Sequence, residues 1–244
     1  MIVLKILGLT LALIAAVIAA YFLFAFVCGL FVDPKREYDE PSRFYRALMN
    51  SITAFILRAA RVKIHTSGAE AVPGNTRKLL FVSNHRSNFD PLITWHYFKD
   101  RQMVYVSKDA NFKLPIAGRI IRRCCFMAID RENPRNAMNT IKKAAGLLRK
   151  GEMSVGVYPE GTRSKDCTLL PFHNGVFKIA QKADAPIVVF SISGTEVIHR
   201  NFPWHHTDVY LDVLEIIPAD EVKGAKTDVL GDHIRELLEQ QLNK

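Results

Sequence analysis

No charged residue interrupts the run from Ile6 to Val32, roughly 27 positions in a chain of 244 residues. As an α-helix rising about 1.5 Å per residue, such a run reaches about 40 Å, enough to cross a hydrocarbon core of about 30 Å with tilt. A secretory signal peptide carries a shorter apolar region, about 7–15 residues, and ends in a small-residue cleavage site. Here Phe22, Phe24, Phe26 and Phe31 crowd the C-terminal half, and Cys28 follows Ala25-Phe26-Val27, a poor lipoprotein site. The run predicts a retained N-terminal membrane helix. Lys5 precedes it, whereas Lys35, Arg36, Arg43 and Arg46 follow it. Basic residues favour the cytoplasmic side. The bulk of the chain is therefore expected on the cytoplasmic face of a membrane, most simply the cytoplasmic (inner) membrane.

The formal net charge is +9. Basic charge serves nucleic acid or an anionic membrane surface. A hydrophobic anchor favours the membrane. The sequence holds no zinc-finger spacing, no single-strand-binding aromatic motif and no obvious recognition helix, so no nucleic-acid partner is expected. The 4 cysteines, Cys28, Cys124, Cys125 and Cys167, form no CxxC pair or metal spacing. They read as reduced, structural thiols, and no metal site is expected.

Three parts follow from this pattern: residues 1–33, the membrane-anchoring helix; residues 34–62, a linker and an amphipathic helix; and residues 63–244, an α/β domain. Phe44, Leu48, Ile52, Phe55, Ile56 and Ala59 recur at helical spacing between Arg43 and Arg61, with Arg43, Arg46, Arg58 and Arg61 on the outside. Beyond them, apolar runs at Leu79–Ser83, Met103–Ser107, Cys125–Ile129, Ser154–Tyr158, Ile187–Ser193 and Thr207–Ile217 predict strands. Pro134 to Lys150, Gly175–Ala183 and Thr227–Leu242 predict helices. This alternation predicts a mixed or mostly parallel sheet flanked by helices. Such sheets bind ligands beyond the carboxyl ends of their strands.

Two segments fall at such ends. Ser83-Asn84-His85-Arg86-Ser87-Asn88-Phe89-Asp90-Pro91 places a carboxylate five residues after an imidazole. Imidazole is the usual general base near neutral pH, and a neighbouring carboxylate fixes its tautomer. Tyr158-Pro159-Glu160-Gly161-Thr162-Arg163-Ser164 supplies a guanidinium and polar groups suited to a phosphate. A base beside an anion site suggests chemistry on a phosphorylated alcohol.

Two further blocks, Phe126-Met127-Ala128-Ile129-Asp130-Arg131 and Ala185-Pro186-Ile187-Val188-Val189, lie at matching points in the order. Together the four blocks resemble the glycerolipid acyltransferase family, and within it the 1-acyl-sn-glycerol-3-phosphate acyltransferases, over roughly residues 60 to 220. Tyr158, where phenylalanine is common, and Met127-Ala128 are mild departures. The resemblance implies that His85 is the general base and Asp90 orients it. It implies that Arg131, Glu160, Gly161, Thr162 and Arg163 shape and bind the acceptor phosphate, and that Pro186 serves the acyl-donor side or structure. It implies transfer of a fatty acyl group from acyl-CoA or acyl carrier protein to the sn-2 hydroxyl of lysophosphatidic acid. The product is phosphatidic acid, formed without an acyl-enzyme. No cofactor beyond the acyl thioester co-substrate is expected, and the partners are lysophosphatidic acid, the acyl donor and membrane lipid.

Residue chemistry adds its own expectation. A carboxylate does not attract phosphate, so Glu160 is expected to hold Arg163, Arg131 or a substrate hydroxyl. Taken singly, Arg131 also reads as a surface residue after a strand, Arg163 as a structural partner of Glu160 or Asp166, and Pro186 as the start of a strand. Lys108 reads as a solvated lysine or as one facing the phosphate. Trp204-His205-His206 reads as a loop or as an interfacial anchor. Three functional alternatives remain. The first is an acyltransferase acting on another lysolipid. The second is a hydrolase, which lacks the Gly-x-Ser-x-Gly elbow here. The third is a non-catalytic lipid-binding relative, which would have no use for an intact His85 and Asp90.

Overall fold

A computed structural model describes residues 1–74, 76–130 and 133–243. The chain opens with two helices, α1 (Ile2–Leu30) and α2 (Arg43–Ala59). Next come β1 (Val62–Ser67), β2 (Leu80–Val82), α3 (Asp90–Tyr97), β3 (Val104–Lys108), α4 (Ala117–Arg123) and β4 (Met127–Ile129). Then follow α5 (Pro134–Arg149), β5 (Val155–Val157), α6 (Lys178–Ala183), β6 (Ile187–Ser193) and α7 (Ile198–Asn201). The chain closes with β7 (Thr207–Ile217), α8 (Ala219–Gly224) and α9 (Thr227–Leu242).

Among the described residues seven strands form one mixed sheet in the order β1-β7-β6-β2-β5-β3-β4. β6, β2, β5, β3 and β4 run parallel to their neighbours; β7 runs antiparallel to β6, and β1 parallel to β7. Side chains alternate across the pleat. Leu80 and Val82 therefore enter a core beneath α5, α6 and α9, with Ile141, Leu148, Ile179 and Ile234. Leu79 and Phe81 enter the opposite core, beneath α2, α3 and α4, with Leu48, Leu57, Ile93, Trp95 and Ile120. Each such buried side chain contributes about 1.5–3 kcal/mol, so both faces are held. Gly156 of β5 is required by packing: a Cβ there would stand 2.5 Å from the Tyr105 ring.

The strongest sequence signals match the structure. β6, β7 and α9 have the expected ends, and α5 starts at Pro134. The Asn133 side chain caps α5 by accepting from the backbone N–H groups of Arg135 and Asn136. The helix expected at Gly175–Ala183 divides into a 3-10 turn, Asn174–Phe177, and α6. β1, α3, α4, α7 and α8 were not anticipated.

The N-terminal helices bring two corrections. α1 begins at Ile2, so Lys5 lies within it. α1 has a mean hydropathy of 2.7 over its most apolar stretch and is long and apolar enough to cross a membrane. All of its residues before Tyr21 are exposed. Beyond that point it packs antiparallel on α2: Tyr21 Oη donates to Ser51 Oγ, the Phe22 and Phe55 rings meet at 5.7 Å, and Tyr45 Oη donates to the Cys28 carbonyl. Arg119 of α4 donates to the Gly29 and Leu30 carbonyls, a cation at the negative end of α1. On α2 the buried stripe is Arg46, Leu48, Met49, Thr53 and Leu57, while Phe44 and Ala59 are exposed. The stripe is rotated from the expected one because α2 meets the sheet side on one flank and α1 on the other. Arg46, expected as an outer basic residue, is buried at 6% exposure. Its guanidinium lies over the Trp95 ring and donates to the Met103 carbonyl. Removing it would orphan the buried Met103 carbonyl.

Candidate active site

β2, β5 and β6 are parallel neighbours, so the chain leaves all three at one edge. His85 follows β2, Glu160 follows β5 and Thr195 follows β6. Sequence separations of 75 and 105 residues collapse there into hydrogen-bond contact.

Asp90 is the first residue of α3 and fully buried. Its Oδ2 accepts from His85 Nδ1 at 2.8 Å and from the backbone N–H groups of Arg86 and Ser87 at 2.7 Å each. Its Oδ1 accepts from the Thr195 hydroxyl at 2.5 Å. A carboxylate receiving so many donors is acceptor-only, so the proton on His85 sits at Nδ1 and the lone pair at Nε2. The His85 side chain keeps 17% exposure, which opens that lone pair to a ligand. The imidazole stacks on Tyr158, with centroids 4.3 Å apart and planes 17° off parallel. Thr94 fixes the stack from beneath. It donates to the Asp90 carbonyl and lies 2.5 Å from the Tyr105 hydroxyl and 3.3 Å from that of Tyr158. Burial pushes the Tyr158 phenol well above its usual value, and the negative potential of Tyr105 and Asp90 adds to the effect, so the ring under His85 is neutral.

The backbone around His85 is fastened on both sides. Asn84 donates through Nδ2 to the Ile192 carbonyl and accepts the Ile192 N–H at Oδ1, both at 2.8 Å, so its amide continues the sheet ladder past the end of β2. Glu160, at 3% exposure, accepts the His85 N–H at 2.6 Å and the Leu170 N–H at 2.9 Å. Of the partners expected for Glu160, Arg163 is not among those seen: each carboxylate oxygen is taken by a backbone amide of a loop that needs an acceptor. Burial pushes its carboxyl above the ordinary 4.5, against the lowering by those two amides. The Ser164 N–H donates to the His85 carbonyl, and Arg86 donates to the Cys167 carbonyl. The Glu160 loop and the His85 loop therefore move as one piece.

The remaining sequence candidates separate. Gly161 adopts φ +70°, a left-handed turn that glycine enters without steric cost. Thr162 and Arg163 are exposed, and among the described residues Arg163 has no hydrogen bond or ion pair, its guanidinium standing open to a ligand. Arg131 lies outside the described residues. Pro186 precedes β6, and its carbonyl accepts the Leu80 N–H. Lys108 is exposed at the end of β3. Asn84, Thr94, Tyr105 and Thr195 position the His85 pair and were missed. Thr195 and Tyr105 had one available signal, their place at or near strand ends.

Beside the site lies an apolar cavity of about 300 Å³, lined by Val106, Ile129, Met138, Ile141, Val157 and Val176 and reaching Tyr158 and Gly161. A larger cavity of about 800 Å³ sits at the opposite end of the strands, among Arg77, Asp100 and Arg101, away from His85. The arrangement at the carboxyl edge is an oriented base, an open guanidinium and an apolar slot within one loop cluster.

A sequence model of the family described as Acyltransferase matches residues 63–193. The match spans β1 to β6, more than half of the chain, and the chain belongs to the acyltransferase family. It is similar to the chloroplast 1-acyl-sn-glycerol-3-phosphate acyltransferase of Brassica napus, 29% identical over 209 residues, covering 84% of this chain and 58% of the relative. It is also similar to the 1-acyl-sn-glycerol-3-phosphate acyltransferase of Escherichia coli, 28% identical over 163 residues, covering 67% of this chain and 66% of the relative. The chain thus spans less than two thirds of either relative's length. The crystal structure of the 1-acyl-sn-glycerophosphate acyltransferase of Thermotoga maritima has the same fold, with a TM-score of 0.64 and 20% identity over 91% of this chain and 87% of that one.

Proposed function

We propose that this protein transfers a fatty acyl group from an acyl thioester to the free sn-2 hydroxyl of lysophosphatidic acid, forming phosphatidic acid for phospholipid synthesis. The observation that carries the reading is the His85–Asp90 pair, with Nδ1 held at 2.8 Å and Nε2 left open at the loop edge. In the reaction Nε2 takes the proton of the attacking hydroxyl as its oxygen bonds to the thioester carbonyl carbon. The tetrahedral intermediate expels the thiolate by breaking the C–S bond. The imidazolium returns its proton to that sulfur, releasing free thiol. Base catalysis of this kind supplies about 10²–10⁴ in rate. Asp90 stabilises the imidazolium and, like its counterpart in other His–Asp pairs, keeps the productive tautomer. Acyl transfer is direct, with no acyl-enzyme.

Arg163, Thr162 and the Gly161 backbone are the proposed phosphate ligands, joined by Arg131 as the family resemblance implies. Glu160 acts by fixing the loop that carries them. The apolar cavity among Val106, Met138 and Ile141 would receive an acyl chain. Coenzyme A and acyl carrier protein both suit a basic protein. The membrane association suggested by α1 accords with an acceptor and a product that reside in a bilayer. In this reading α1 crosses the cytoplasmic membrane and the sheet domain faces the cytoplasm.

The test is acceptor-dependent thiol release by the full chain in detergent, with phosphatidic acid detected by mass spectrometry. Long-chain acyl-CoA and acyl-acyl carrier protein are tried in parallel. Release that requires lysophosphatidic acid establishes the reaction. Thiol release equally fast without acceptor, or a trapped acyl-enzyme, contradicts it.

A further inference from the structure

Strand directions place one surface loop at the active-site edge. β2, β5 and β6 end at this edge, and β7, antiparallel to β6, begins there, as does β1 beside it. α2 leads into β1 through Ala60 and Arg61, so the C-terminal end of α2 lies at the same edge. α1 packs antiparallel to α2, and its exposed N-terminal part, residues 1–20, therefore projects from that edge.

The segment between α7 and β7, residues 202–206, occupies the same place. Phe202 is 51% exposed and Trp204 80% exposed. The loop is firmly held. Arg61 donates to the Trp204 carbonyl at 2.9 Å, and the Thr207 N–H donates to the Arg61 carbonyl at 3.2 Å. The His205 N–H donates to the Asn201 carbonyl at 2.7 Å, and the Asn201 amide donates to the Thr207 hydroxyl at 2.9 Å. A backbone tied at both ends thus displays two large aromatic side chains to the outside. Exposed Arg58, Arg61 and Arg200 border it, with His205 alongside. Aromatic rings with an apolar body, edged by cations, are the composition of a membrane–water interface. Arginines near the surface add attraction to anionic headgroups.

We propose that Phe202 and Trp204 are a second membrane contact, an interfacial anchor that seats the active-site edge on an anionic lipid surface. The proposal rests on the reading of α1 as a bilayer helix. Lipid is the occupant argued because the loop stands at the same edge as the exposed apolar part of α1, and because the exposed Arg58, Arg61 and Arg200 outnumber Asp208, the carboxylate beside the loop. The arrangement would also keep the proposed base next to an acceptor dissolved in the bilayer. α7 joins the loop to Thr195, which holds Asp90, so the anchor and the base share one short stretch of chain.

The chain has 2 tryptophans, and Trp95 is buried at 1% exposure, so Trp204 reports on its own loop. The full-length protein and Trp204→Phe are reconstituted into vesicles of phosphatidylcholine and phosphatidylglycerol, with acyl chains brominated near the headgroup or left unbrominated. Both proteins are expected to float with the vesicles. Brominated lipid is expected to remove most of the Trp204 emission, taken as the difference between the two proteins, and to leave the Trp95 emission of Trp204→Phe unchanged. Flotation without quenching of Trp204 overturns the proposal while leaving α1 as the anchor, and makes a protein partner the better occupant. Failure of the wild type to float overturns both the membrane reading of α1 and the anchor that rests on it.

Discussion

Two histidine–aspartate pairs in this molecule have the same 2.8 Å separation, yet only one has the geometry of the proposed base. His85 and His65 even share an aromatic neighbour, Tyr158 for the first and Tyr210 for the second. The carboxylates differ. Asp90 is fully buried and immobilised by two backbone amides and the Thr195 hydroxyl. Asp208 is 38% exposed and shared between His65 and His206. The nitrogens differ too. Asp90 takes Nδ1 of His85 and leaves the outward Nε2 free, whereas Asp208 engages Nε2 of His65. An exposed ion pair is screened by water and contributes little. Proximity of imidazole and carboxylate is common to both pairs. Burial, anchoring and the choice of nitrogen make one of them fit for proton transfer.

Substitution of the two histidines breaks this comparison most sharply. His85→Ala is expected to lower kcat for acyl transfer by about 10²–10⁴. His65→Ala is expected to leave kcat and KM unchanged in the same thiol-release assay. A comparable loss in both variants would mean that anchoring is not what separates the pairs.

Arg163→Ala asks whether the open guanidinium serves the substrate. A hydrogen bond to a charged group is worth about 1.5–3 kcal/mol, so KM for lysophosphatidic acid should rise by about 10–100-fold with a smaller change in kcat. An unchanged KM would remove Arg163 from the phosphate site.

Thr195→Val tests the anchoring itself. It leaves Asp90 Oδ1 without its donor while keeping the volume, at a cost of about 1–3 kcal/mol. We expect kcat to fall by about 5–100-fold, and Thr195→Ser to restore it. Equal loss in valine and serine variants would point to packing instead of the hydroxyl.

The smallest effect concerns Glu160. Burial raises its carboxyl above 4.5 in the folded state. The folded protein then binds more protons than the unfolded chain just above that pH, so this group's contribution to stability falls as pH rises through the interval. The Tm of wild type should decline with pH more steeply than that of Glu160→Gln across that window. Parallel profiles would contradict the direction of the shift.

How much of this was legible depended on sequence separation and on which atoms do the binding. Long apolar runs with clear ends, such as β6 and β7, matched to the residue. β1 is a half-exposed edge strand, Val62-Lys63-Ile64-His65-Thr66-Ser67, with no apolar run to mark it. α3 and α4 are too short for helical periodicity to stand out. His85 and Asp90 lie five residues apart, a spacing weak by itself that gained meaning from the other three blocks and the resemblance they carry. Thr195 and Asn84 act across more than a hundred residues, which a single sequence does not register. The partners that Glu160 does show, the backbone amides of His85 and Leu170, were not legible because they carry no residue signature. Arg46 was misplaced for a related reason: a guanidinium over Trp95 with a carbonyl to bond can be buried, and the helix pattern alone treats it as polar.

The most direct test of the central claim is the pre-steady-state rate of thiol release with saturating lysophosphatidic acid and acyl-CoA, for wild type, His85→Ala, Asp90→Asn and His65→Ala. The account predicts a collapse in both members of the buried pair and wild-type rates for His65→Ala. Full activity in His85→Ala would contradict it and assign removal of the hydroxyl proton to another group.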